Sequence, residues 1–140
     1  MDVINELYDE QKEMLFAFQS VNKLTIHVIS GEERKLIHQK KYPNSLSVND
    51  KTALYLAEKL DAMVLSGDKA VRRQAKYRAI EYHGMIWIFD QLAEASIISF
   101  TDAAEKLRTL IMTNLIYRNN KELTHAMNTR LKKWEGEGER

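Results

Sequence analysis

Residues 62–73 read Ala-Met-Val-Leu-Ser-Gly-Asp-Lys-Ala-Val-Arg-Arg, and this stretch decides the fold class. The apolar run Ala62–Ser66 is typical of a strand that is buried on both faces. Gly67 ends the run, and the residues from Asp68 to Arg78 are predicted to form a basic helix. A second short strand is predicted at Ile80–His83. A strand, a helix and a strand in this order predict an α/β fold, in which helices flank a short parallel sheet.

The pattern outside this stretch predicts one more strand and several helices. The strand is Leu24–Ile29, an apolar and β-branched run between turn-forming residues. Helices are predicted at residues 2–18, 32–41, 48–60, 85–95, 100–112 and 121–134. Two of them begin with a Ser-x-x-Asp capping pattern, at Ser47 and at Ser99. The C-terminal helices are expected to extend the same core, so that residues 1–134 form one domain and residues 135–140 a frayed tail.

Composition excludes several classes of protein and of site. A hydrophobic fraction of 44% with a net charge of +1 is incompatible with a wholly disordered chain. No run of uncharged apolar residues approaches the length that a membrane-spanning helix needs. The acidic N-terminus is unlike a signal peptide, so the expected location is the cytoplasm. The absence of cysteine excludes disulfides, thiol catalysis and cysteine-bound metals. The four histidines lack ligand spacing, and no dinucleotide fingerprint, P-loop or nucleophile elbow is present.

Three acidic residues are candidates for a site, and the residues alone leave two interpretations open for each. Asp68 follows the central strand at the start of a helix, where it is either a cap or a ligand at the sheet edge. Asp50 is either the capping carboxylate of its helix or a ligand in register with an apolar face. Glu6 lies in a run of acids and fits a solvated helix face as well as a site. Carboxylates that converge could hold a hard divalent cation.

Five basic residues and no acid occur between residues 69 and 78. Lysine and arginine contacts to phosphates supply most non-specific affinity for nucleic acids. Lys69, Arg72, Arg73 and Lys76 are therefore candidate nucleic-acid contacts. A solvated helix face is the alternative interpretation of the same pattern.

Two segments of the chain resemble the PIN-domain family. They are residues 46–57, with the pattern L-S-x-x-D-x-x-A-L-x-L-A, and residues 62–75, with V-L-S-x-D-K-x-V-R. Residues 82–92 resemble the helix that follows in the predicted nucleic-acid-binding branch of the family. Residues 5–11 resemble the motif that carries the family's glutamate. The resemblance extends over roughly residues 2–112, and it implies a small three-layer α/β sandwich.

The resemblance also implies an activity and a site. Members of the PIN-domain family share an acidic site that binds Mg²⁺ or Mn²⁺ and cleaves RNA. By this resemblance, Glu6, Asp50 and Asp68 match three of the acidic residues of that site. The implied function is a metal-dependent ribonuclease that hydrolyses phosphodiester bonds. It would be the toxin of a toxin–antitoxin pair, with RNA and an antitoxin protein as partners. The alternative is a catalytically inactive PIN-like module that binds RNA or a partner protein.

One departure from the family pattern bears on both interpretations. Family members usually begin with a strand that ends in an acidic residue, and here the glutamate motif stands at residue 6 without that opening. The fold is therefore expected to be PIN-like but incomplete at its N-terminal end, with the metal weakly bound or absent. A sheet without its middle strand leaves backbone groups unpaired at roughly 1–3 kcal/mol each when they are buried. We therefore expect one of three compensations: re-pairing of the remaining strands, a segment of a second copy that fills the gap, or a strand supplied by a partner. Association through the exposed region, as a homo-oligomer, is the favoured one.

Overall fold

The computed structural model describes residues 3–138, and for residues 116, 137 and 138 it describes the backbone alone. This part of the chain contains eight α-helices and two short strands. A short 3-10 helix at Val3–Glu6 comes first. The helices are α1 (Asp9–Ser20), α2 (Gly31–Gln39), α3 (Val48–Leu60), α4 (Lys69–Tyr77), α5 (Met85–Glu94), α6 (Phe100–Thr113), α7 (Leu115–Asn119) and α8 (Lys121–Gly138). The strands are β1 (Val64–Leu65) and β2 (Tyr82–His83).

Strands β1 and β2 pair in parallel around the crossover helix α4. The Val64 N–H donates to the Glu81 carbonyl and the Ser66 N–H to the His83 carbonyl, both at 2.9 Å. The predicted α/β fold with a short parallel sheet and several helices is confirmed. The prediction that β1 is buried on both faces is wrong, because Val64 is buried but Leu65 is 54% exposed. In the described part of the chain β1 has β2 as its one strand partner, so nothing extends the sheet across its other edge.

Helix starts agree closely with the predictions because local side-chain hydrogen bonds define them. The Asp50 N–H donates to Ser47 Oγ, which closes a capping box at the start of α3. Ser99 and Asp102 form the same box at the start of α6. A third box, which was not predicted, links Ser30 and Glu33 at the start of α2.

Two N-terminal predictions are wrong. Residues 24–29 form no strand, although their composition favours one. A strand is stabilised by its neighbours, and no described segment offers these residues a ladder of backbone hydrogen bonds. The helix predicted at residues 2–18 is interrupted, because Tyr8 has an extended backbone with φ −68° and ψ 157° and becomes the N-cap of α1. Residue 2 lies outside the described residues.

The described chain divides into two compact units. The first holds the residues up to Val64 together with Asp68–Tyr82, and the second holds Leu65–Gly67 together with the residues from His83 onward. Each unit is stabilised by a hydrophobic cluster of its own. That of the first unit consists of Ile37, Tyr42, Leu46, Leu54, Tyr55, Ala57, Val64, Val71, Ala75 and Ile80. That of the second consists of Ala93, Ala103, Ala104, Leu107, Met127, Leu131 and Trp134.

The C-terminal helix α8 continues to Gly138, through the first four residues of the segment that was expected to be a tail. Residues 139 and 140 lie outside the described part. None of the helices described between residues 3 and 138 is both long enough and apolar enough to cross a membrane.

Candidate nucleic-acid interface and acidic residues

Asp50 lies in the first turn of α3, where it completes the capping box. Its Oδ2 accepts hydrogen bonds from the Ser47 N–H at 2.9 Å and from the Ser47 hydroxyl at 2.7 Å. Its other oxygen, Oδ1, forms no hydrogen bond with the described residues, and the side chain is half-buried. The capping interpretation is therefore confirmed, and it leaves one carboxylate oxygen able to accept a further ligand.

Asp68 is the N-cap of α4. Its Oδ1 accepts hydrogen bonds from the backbone N–H groups of Ala70 at 2.6 Å and Val71 at 3.0 Å. These are two of the N–H groups that a helix start leaves without an intrahelical partner, so the capping role has a clear physical basis. The residue is exposed and follows β1 by three positions, so it lies beyond the carboxyl end of that strand, as predicted.

Glu6 ends the 3-10 helix and reaches the start of α3. Its Oε1 accepts a hydrogen bond from Nδ2 of Asn49, the residue that precedes Asp50 in the first turn of that helix. This contact joins residues 43 positions apart and brings Glu6 to the same end of α3 as Asp50. The sequence did not identify Asn49 as the hydrogen-bond partner of Glu6, because an asparagine in the first turn of a helix is common.

The chemistry of these acids fits a hard divalent cation, whose preferred ligands are carboxylate oxygens. However, no three histidine, aspartate or glutamate side chains of the described residues are grouped so that they could hold a metal ion between them. Mg²⁺ is usually bound by one or two carboxylates together with water and substrate phosphates, and does not require a cage of protein ligands.

The four candidate nucleic-acid contacts form one stripe on α4. Lys69, Arg72, Arg73 and Lys76 stand at positions i, i+3, i+4 and i+7, which a helix places on one face, and all four are exposed. The opposite face of the helix packs into the core of the first unit through Val71, Gln74 and Ala75. This burial orients the helix so that its cations point into solvent.

Two aromatic rings accompany the stripe, and the sequence analysis did not single them out. The guanidinium of Arg72 lies 5.5 Å from the ring centre of Tyr82, close enough for a cation–π interaction. Tyr77 follows Lys76 at the end of α4, and it is 83% exposed. An aromatic residue within the basic run was the sequence signal that could have identified Tyr77, because exposed rings beside cations can stack on nucleic-acid bases.

The fifth cation of this basic run, Arg78, has a structural role. Its Nη1 donates to Glu58 Oε1 at 2.7 Å, and Lys40 binds the other oxygen of Glu58. Burial raises the pKa of Glu58, but the hydrogen bonds from Lys40 and Arg78 outweigh burial and hold that pKa below its ordinary value. The guanidinium also lies 4.2 Å from the ring centre of Tyr42, whose own pKa is raised by burial. Arg78 is thus committed to the core of the first unit.

Comparison with known proteins identifies the family. A family model described as a PIN domain matches residues 1–132, so the chain belongs to the PIN-domain family. This confirms the resemblance found in the sequence. No curated protein and no solved structure matches the chain.

Proposed function

Since the chain is a PIN domain of nuclease type, we propose that it is a ribonuclease that binds RNA through the basic stripe of α4 and hydrolyses phosphodiester bonds with a divalent cation. The observation that carries the proposal is the placement of Asp68. This acid caps α4, and the first eight residues of that helix carry the four exposed cations on one face. A substrate phosphate held by the stripe would therefore lie beside a carboxylate.

The stripe is suited to an RNA backbone by its length and its charge. From Lys69 to Lys76 a helix rises about 10 Å, so its four cations can contact more than one phosphate of a backbone. The N-terminal end of α4 adds the positive end of its dipole at the same place. The exposed ring of Tyr77 would offer a base a stacking surface at the far end of the stripe.

The acids would supply the second part of the proposed site. Asp50 and Asp68 would be direct ligands of Mg²⁺ or Mn²⁺, and Glu6 would be a ligand or would orient the attacking water. When bound, such a cation lowers the pKa of a bound water and neutralises charge that develops on the phosphate. The remaining ligands would come from water and RNA, in keeping with a site of few protein carboxylates.

A second candidate function is an RNA-binding module that does not cleave. The observation that favours it is that Asp50 and Asp68 both already cap helices, which is a sufficient structural reason for each residue. The basic stripe serves both functions equally well. An assay of RNA cleavage therefore distinguishes the two candidate functions, whereas an assay of RNA binding alone does not. The proposed toxin role with an antitoxin partner depends on the ribonuclease function, and it stays a prediction from the family resemblance.

The decisive experiment is an RNA-cleavage assay with and without Mn²⁺ on matched aspartate variants. Asn caps a helix as well as Asp, so Asp68→Asn should keep the fold and RNA binding while it lowers cleavage by about 100-fold or more. Asp50→Asn should act similarly. Its matched control is Asp102→Asn, which alters an equivalent Ser-x-x-Asp capping box at α6 and should leave cleavage unchanged. RNA binding without cleavage by the unsubstituted chain would instead support the second candidate.

The stripe itself is tested by binding to single-stranded RNA at several salt concentrations. The double variant Arg73→Gln/Lys76→Gln should weaken binding and flatten the dependence of log K on log salt by about 1.4, since each phosphate contact contributes about 0.7. The control Lys35→Gln/Lys132→Gln removes the same charge from exposed positions on other helices. Equal effects of the two double variants would show that total charge, and not the stripe, governs binding.

A further inference from the structure

An open groove of about 590 Å³ lies within the first unit. Residues 24–29, the 3-10 helix and side chains of α1, α2 and α3 line it, and ten of its sixteen described lining residues are apolar. Small-molecule sites are concave and mostly apolar, with volumes of about 300–1,000 Å³. The groove therefore has the size and the lining of a site for a small molecule with an apolar body.

Three apolar side chains of the groove are left in contact with water. Val3 is 51% exposed, Val48 is 65% exposed and Val28 is 86% exposed. They belong to three separate segments of the chain and line one concave surface, whereas exposed apolar residues that need no explanation are scattered singly. Covering such surface is the main favourable contribution to the binding of an apolar molecule.

One cation accompanies the apolar lining. Arg34 of α2 lines the groove and is exposed, and its guanidinium forms no ion pair with a described residue. None of the sixteen lining residues is an aspartate, a glutamate or a lysine. A guanidinium with free donors matches a carboxylate, which it can bind through two parallel hydrogen bonds. Glu6 is the hydrogen-bond partner of the lining residue Asn49, so an anionic group is favoured at Arg34 and not beside Asn49.

We infer that the groove binds a small amphipathic carboxylate, a molecule with one carboxylate on an apolar body, such as a medium-chain fatty acid. The carboxylate pairs with Arg34, and the apolar body covers Val3, Val28 and Val48. A cationic amphiphile would bring a second positive charge to Arg34, and a neutral one would leave the guanidinium without a partner. A polyanion such as RNA would find a single arginine in an apolar lining, so the groove and the basic stripe of α4 take different ligands.

The test compares three ligands that share a ten-carbon chain and differ in the charge of the head group. Decanoate, decanol and decyltrimethylammonium are titrated into the full chain below their micellar concentrations, and calorimetry gives the dissociation constants. Decanoate should bind about 10-fold more tightly than decanol, because hydrogen bonds to charged groups are the stronger ones, and the cation should bind most weakly.

Two charge variants assign this preference to Arg34. Arg34→Gln should remove the advantage of decanoate and leave the affinity for decanol unchanged. Lys35→Gln is the matched control, since Lys35 is the next exposed cation of α2 and does not line the groove. It should change neither affinity. Equal losses in the two variants would overturn the assignment of the carboxylate to Arg34.

A second pair of variants locates the apolar body. Ala53 lines the groove and is exposed, so Ala53→Phe should fill the groove without repacking the core and should weaken decanoate and decanol alike. Ala17→Phe on α1 is the control, because Ala17 is exposed and does not line the groove. Circular dichroism checks the fold of each variant. The inference would be overturned if none of the ligands bound, if all three bound equally, if binding survived Ala53→Phe, or if only an added apolar peptide occupied the groove.

Discussion

At the scale of single residues, Glu33 shows how one carboxylate serves two helices. Its Oε2 accepts from the Ser30 N–H at 2.8 Å and closes the capping box of α2, while its Oε1 accepts from Lys59 of α3 at 2.8 Å. The hydrogen bond from Lys59, followed by that from the Ser30 N–H, lowers the pKa of Glu33 from its ordinary 4.5 to about 2. The ionised form is therefore favoured in the folded chain.

This lowered pKa predicts a pH dependence of stability. Because the folded pKa is below the unfolded one, the contribution of Glu33 is complete above about pH 4.5 and is lost as the pH falls towards about 2. Glu33→Gln should be less stable than the unsubstituted chain at neutral pH, and the difference should shrink across that window. Urea unfolding at a series of pH values measures it. Glu32→Gln removes the same charge from the neighbouring exposed position, and an equal effect there would refute the assignment.

At the scale of elements, a buried polar contact ties α5 to α8 in the second unit. Nε1 of Trp134 donates to Asp90 Oδ1 at 3.1 Å, and Arg130 lies 3.1 Å from Oδ2. Burial raises the pKa of Asp90, and Arg130 and Trp134 offset part of that rise. Trp134 is 1% exposed, so the same side chain also fills the core. Trp134 thus packs α8 onto the rest of this unit.

Removing the indole N–H should therefore destabilise the second unit. Trp134→Phe keeps most of the apolar surface but leaves one buried oxygen of Asp90 without its donor, which costs about 1–3 kcal/mol. Trp87→Phe is the matched control, because Trp87 is half-buried, stacks on His83 and forms no side-chain hydrogen bond with the described residues. Denaturant unfolding should show a clearly larger loss for Trp134→Phe. Equal losses would mean that packing alone accounts for the role of Trp134.

At the scale of the whole molecule, burial is unevenly distributed along the chain. Helix α1 contains no buried residue, and Met14, Phe16 and Phe18 are exposed on it. By contrast, α3 buries Leu54, Tyr55 and Ala57. Local opening is easiest where few apolar contacts must be broken. Helix α1 is thus among the least stabilised helices of the described chain.

Hydrogen exchange should rank the helices accordingly. The amides of α1 should exchange well before those of α3, and α6 should resemble α3 because Ala103, Ala104 and Leu107 are buried on it. Mass spectrometry of peptides from the full chain measures this order, and each helix serves as a reference for the others. Protection of α1 equal to that of α3 would show that another surface covers α1.

Features that depend on residues three or four positions apart could be predicted from the sequence. The capping boxes at Ser47 and Ser99, the N-cap Asp68 and the cationic face of α4 were all predictable, because their hydrogen bonds and helical spacing are local. The family was also recognisable from such segments, and it implied the same α/β class.

Which segments obtain partners depends on the tertiary structure. A strand is stabilised by neighbours that its own sequence does not name, so residues 24–29 form no ladder with any described segment, and β1 is limited to Val64–Leu65. The same holds for the contact between Glu6 and Asn49, 43 positions apart, and for that between Asp90 and Trp134, 44 apart. Such pairs form because the chain folds back on itself, and no periodicity in the sequence encodes the meeting of one particular side chain with another.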